Sequence, residues 1–133
     1  MDINILGLVA ALTAFITIWF GHVAVRKIEF ISQTIWLPMI IFAALGFFAE
    51  YCSLIADSLL LKAVLGITGM TLLFDAFELV RQQRRIRKGH APANPNNPRH
   101  AAILAEPNSY ATTLDLLKRE PMGRLIAHEK ARN

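Results

Sequence analysis

The chain has 133 residues, 54% of them hydrophobic, with 14 Lys/Arg, 10 Asp/Glu and a net charge of +4. Soluble domains carry about 45–50% apolar residues spread along the chain, whereas here residues 3–80 hold only Arg26, Lys27, Glu29, Glu50, Asp57, Lys62, Asp75 and Glu78 as charges, and residues 81–133 hold 11 Lys/Arg against 4 Asp/Glu. This segregation leaves a soluble enzyme without support, and the single Cys52 rules out an internal disulfide and a Cys-only metal cluster.

The first apolar segment, residues 3–21, has no charge. At about 1.5 Å per residue it just crosses a hydrocarbon core of about 30 Å. His22 stands at its end, with Arg26 and Lys27 beyond, so the span is placed at about 3–25. No cleavable signal peptide is expected, because Met1-Asp2 lacks a basic n-region. The second span is predicted at about 34–56, with Trp36 and Tyr51 near its ends and Pro38 in its first turn. Asp57-Ser58 separates it from a third span at about 58–80 and is expected to cap it. Lys62, one turn in, can snorkel.

An odd number of spans puts the first loop and the C-terminus on one side. Arg26 and Lys27 lie in that loop, and Arg81, Arg84, Arg85, Arg87 and Lys88 follow span three. The positive side is the cytoplasmic one, so the N-terminus is expected outside. The fold class is therefore an all-α, multi-pass membrane protein of the cytoplasmic (inner) membrane. A three-helix domain covers residues 1–88, with helix three running on to residue 88 and stopping at Gly89. Residues 89–133 form a basic cytoplasmic tail. It opens with an extended connector carrying Pro92, Pro95 and Pro98, followed by a short amphipathic helix at about 112–120. The connector and tail pieces cannot build a core alone, so any order in them is expected to come from outside.

Ionisable residues at membrane depth are costly, and each needs an account. His22, Asp75 and Glu78 lie at similar depth near the basic end. His22 is expected to face Asp75 or Glu78, either as a polar clasp between helices or as a proton-responsive or quinone-contacting site. Glu50 stands toward the outer end of span two, as an interfacial residue. Only His22 lies within a span, so one chain does not hold a haem with two His ligands. Gly7, Ala10, Ala11 and Ala14 on helix one, and Ala63, Gly66 and Gly69 on helix three, allow close helix approach within one protomer or in a homo-oligomer. The basic run Arg81, Arg84, Arg85, Arg87 and Lys88 has no interleaved aromatic residue. It is read as contacting anionic headgroups or a partner, not nucleic acid. His90, His100 and His128 have no metal-ligand spacing and are read as surface residues. No metal site and no catalytic residues are expected.

The Gly21-His22 end of helix one, Glu29-Phe30, Trp36, Glu78, the run "QQRRIRKG" and "PANPNNP" resemble a family of small bacterial membrane proteins known only as a domain of unknown function. The family places a basic-Gly step before a Pro-x-Asn-Pro turn, as Lys88-Gly89 and Pro92-Ala93-Asn94-Pro95 do here. Many members carry Pro directly after the His, where this chain has Val23. The resemblance covers roughly residues 3–98 and implies a small multi-span membrane protein, without catalytic residues to transfer.

The expected function is that of a non-enzymatic subunit that anchors, stabilises or docks to a larger membrane complex. Its tail residues Leu114, Leu116, Leu117, Leu125 and Ile126 would contact the partner, with the ordering cost met on binding. Two alternatives are a self-associating small transporter or channel, with Glu50 or His22 and Asp75 in its pathway, and a quinone-proximal accessory subunit of a respiratory enzyme. No cofactor is required, although a bound lipid or quinone would fit.

Overall fold

A computed structural model describes residues 3–115. Three long helices, α1 (Ile5–Ile31), α2 (Trp36–Ile55) and α3 (Leu59–Arg87), are each long and apolar enough to cross a membrane. A fourth, short helix, α4 (Pro98–Ala105), follows. Helix α3 packs on both α1 and α2. With 20 residues, α2 is about 30 Å long and matches a hydrocarbon core, whereas α1 (27 residues) and α3 (29 residues) reach about 40 Å. Both therefore overrun at the same end, the basic one.

The outer surface of the spans is Ile, Leu, Phe and Trp, with residues such as Phe15, Trp19, Phe47 and Leu54 largely exposed. The contacts between helices use small and polar groups instead. Gly46 of α2 and Gly69 of α3 meet backbone to backbone: a Cβ on either would stand 3.0 Å from the other's carbonyl oxygen. Gly66 faces Ser53, whose hydroxyl donates to the Lys62 carbonyl at 2.8 Å. Thr17 and Thr71 bridge α1 to α3 at 3.2 Å. In lipid there is little hydrophobic force between helices, so close packing and hydrogen bonds hold them. Of the small residues singled out from sequence, Gly66 and Gly69 serve this contact. Gly7 instead sits over the N-cap Asn4, whose side chain accepts its N–H at 2.9 Å.

The helix ends have separate causes. Ser58 occupies the N-cap of α3, but its side chain makes no cap hydrogen bond, so the expected cap is positional only. Helix α3 ends in a Schellman motif. Gly89 takes φ +73°, its N–H donates to the Ile86 carbonyl, and the His90 N–H reaches the Arg85 carbonyl. The chain then turns back, and the segment expected to be an extended connector is folded. Asn97 caps α4, with Pro98 at its first turn. The Ala93 N–H pairs with the Thr112 carbonyl, and the Tyr110 N–H with that of Arg87. A small core of Ile86, Ala91, Ala93 and Ile103 holds the two passes together. Thr112 is in an isolated bridge and 112–115 is not helical, while the rest of the helix expected at about 112–120 lies outside the described residues. Leu114 lies in this non-helical piece. Leu116, Leu117, Leu125, Ile126 and His128 fall outside the described residues.

Candidate functional site

Helix α1 ends at Ile31 with no side-chain cap of its own, leaving its last carbonyls to be satisfied by other groups. The Pro/Asn segment supplies the donors. The Asn94 side-chain N–H donates to the Phe30 carbonyl at 3.2 Å. Asn97 donates to the Phe30 and Ser32 carbonyls at 3.1 and 2.9 Å. Arg99 donates to the Glu29 carbonyl at 2.5 Å and to that of Ser32 at 3.3 Å. A cation here also complements the negative end of the helix dipole. The PANPNNPR segment is thus a C-terminal cap for α1, delivered from more than sixty residues downstream.

Beneath the cap lies Glu29, 1% exposed. Its Oε1 receives the Arg99 guanidinium at 2.7 Å and His100 Nε2 at 3.0 Å. The backbone N–H of Asn94 donates to His100 Nδ1 at 2.9 Å. That nitrogen therefore carries no proton, and the ring is the neutral tautomer donating from Nε2. Arg99 alone balances the charge of Glu29. The second carboxylate oxygen, Oε2, is buried with no hydrogen-bond partner among the described residues. His100 is fully buried, with its ring edge-on to Phe30 at 6.1 Å between centroids. This corrects its reading as a surface residue; His90 is exposed. The sequence did hold a clue. Glu29 is a lone carboxylate on an uncapped helix overrun, and Asn94, Asn97 and Arg99 are an unusual density of donors between prolines.

The other singled-out residues divide into three places. Glu78 is buried and turned toward Arg81 and Arg85, at 3.5 and 3.3 Å. Asp75 lies against Gly21 of α1, whose missing side chain makes the room. His22 is exposed beside it, within electrostatic reach of Asp75. His22 and Asp75 thus share one groove, and Glu78 is drawn away from it by its arginines. Glu50 packs over Gly69 with Oε1 buried and unpartnered among the described residues, deeper between α2 and α3 than an interfacial side chain would lie. Arg87 pairs with Glu106 at 3.0 Å. Of the basic run, Arg84 and Lys88 are the exposed members with no ion pair among the described residues.

No group of three or more His, Cys, Asp or Glu that could hold a metal occurs among the described residues. Residues 4–97 match the model of a family described as a domain of unknown function, DUF4491. No curated protein and no solved structure matches the chain. The matched region contains Glu29, Asn94 and Asn97, and stops just before Arg99 and His100.

Proposed function

The chain belongs to the DUF4491 family, which brings no activity with it, and from its own geometry we propose a non-catalytic membrane subunit that fixes a small cytoplasmic cap at the bilayer surface for docking to a larger membrane complex. The observation that carries this reading is the clasp of Glu29, Arg99 and His100. A buried ion pair adds little net stability, because desolvation offsets the attraction; its best-attested role is to specify one geometry. Here that geometry is the position of residues 89–115 relative to the spans. The cap presents Tyr110, 78% exposed, and the end of α3 to which its backbone is bonded presents the exposed Arg84 and Lys88. An aromatic anchor with cationic neighbours suits an acidic-rimmed protein surface. The folded cap stands between the spans and the tail residues expected to dock, of which only Leu114 lies among the described residues.

Two measurements test this reading. Single-cysteine chains, with Cys52 replaced by Ser, should label at Asp57→Cys from outside intact cells and at Tyr110→Cys only after permeabilisation. Labelling of both from one face would overturn the orientation set by the basic flanks. Mild-detergent extraction should recover the chain with larger membrane subunits, cross-linked through Tyr110→Cys. Arg99→Met should abolish that cross-link. A monomer that cross-links to nothing, or a cross-link indifferent to Arg99→Met, would overturn the docking role.

A further inference from the structure

On the flank of α1 and α3, a groove of about 550 Å³ is lined by Ile18 and His22 of α1 and by Met70, Leu73, Phe74, Asp75 and Phe77 of α3. Its volume lies within the range of about 300–1,000 Å³ of small-molecule sites, and its walls are almost wholly apolar. The hydroxyls nearby are already engaged. Thr17 donates to the Thr13 carbonyl and Thr71 to that of Ile67, and the two meet each other. The remaining polar groups are His22 and Asp75. Asp75 is 5% exposed and makes no hydrogen bond or ion pair among the described residues. A buried carboxyl without a hydrogen-bond partner is costly, and Asp75, wedged against Gly21 at the groove wall, is a polar group that a bound molecule can satisfy.

We propose that this groove binds the head ring of a lipid-soluble quinol or quinone, with Asp75 accepting a hydrogen bond from the quinol hydroxyl and the imidazole of His22 serving the ring's other oxygen. Three observations select this occupant. The first is charge. Among the described residues no arginine or lysine lines the groove, so Asp75 is left there to a neutral donor. The second is shape. The Phe74 and Phe77 rings offer faces for a planar head, and Ile18, Met70 and Leu73 offer a wall for an isoprenoid tail. The third is depth. Asp75 is five residues before Val80, about 7.5 Å of helix rise, so it lies just inside the basic end, where a polar head with a buried tail resides. The site stands on α1 and α3 alone and does not depend on the docking role of the cap.

The test uses the full chain in phospholipid nanodiscs and a short-tailed benzoquinol and its quinone, followed by tryptophan quenching. Trp19 lies beside the groove residue Ile18 on α1. The unmodified chain should bind saturably. Asp75→Ala should weaken the quinol at least tenfold, as expected for loss of a buried hydrogen bond. His22→Ala removes an exposed side chain, and it should weaken the quinone several-fold. Glu50→Gln, at the far end of α2, should change neither. Saturable binding unaltered by both Asp75→Ala and His22→Ala would overturn the proposal. So would equal displacement by a headless alkyl chain, which would assign the groove to lipid tails.

Discussion

Arg99→Met is expected to detach residues 89–115 from the end of α1 while leaving the three long helices paired. Removing one partner of a buried ion pair costs about 3–5 kcal/mol, because the other charge stays behind without compensation. Glu29 would retain a single hydrogen bond from the neutral His100, and the Glu29 and Ser32 carbonyls would lose their guanidinium donors. The core under the cap is only Ile86, Ala91, Ala93 and Ile103, too few apolar groups to resist a loss of that size. Amide exchange over 89–112 should therefore rise, and proteases specific for basic residues should cut at Arg87 and Lys88, with helicity of the spans unchanged. The two partners should not be equivalent. Glu29 is 1% exposed and cannot reach water, whereas Arg99 is 13% exposed and keeps its backbone carbonyl acceptors. Glu29→Gln should thus be milder than Arg99→Met. The reverse order, or an undisturbed cap in both variants, would mean that the clasp is not what holds the cap.

Gly46→Leu should separate α2 from α3. A Cβ at Gly46 would lie 2.7 Å from Cγ of Leu73 and 3.0 Å from the carbonyl oxygen of Gly69. The Leu73 side chain can shift; the helix backbone behind it cannot. Overpacking in cores costs about 1–3 kcal/mol, and a contact against backbone belongs at the upper end. Thermal unfolding in detergent should fall in the order unmodified, Gly46→Ala, Gly46→Leu. The half-buried thiol of Cys52 on the same helix should react faster with maleimide in the leucine variant. Gly46→Ala and Gly69→Ala press on the same crossing, so the double variant should lose less than the sum of the two. Ala11→Leu, on an exposed face of α1, should change nothing. Equal loss from Ala11→Leu and Gly46→Leu would remove the glycine crossing as the cause.

Some of these residues were legible from sequence and some were not. The stop at Gly89 was legible because a positive φ at a helix end favours glycine whatever surrounds it. Asp75 and Glu78 were conspicuous because charges inside an apolar run stand out. Their separate fates were not: Glu78 pairs with Arg81 and Arg85 along α3 itself, whereas Asp75 meets Gly21 only through the way α3 faces α1. His100 sits among polar neighbours and read as a surface group; its burial comes from docking against Glu29, seventy-one positions away. Gly46 stands with Ala43 and Ala49 at three-residue spacing on α2, but small residues there do not say which partner helix they meet; that appears only when Gly69 is opposite it.

The amino-acid order by itself determined three helices long and apolar enough for a bilayer and a basic end shared by the first loop and the close of the third. Those features follow from length, hydropathy and charge counted along the chain, and each helix satisfies its own backbone. Only the tertiary structure decided which polar groups meet: the prolines folded into a cap, Asn94, Asn97 and Arg99 on the bare carbonyls of α1, and a carboxylate left facing an apolar groove. Hydrogen bonds and ion pairs act over about 3 Å in space with no regard for separation in sequence, so no local pattern could assign their partners.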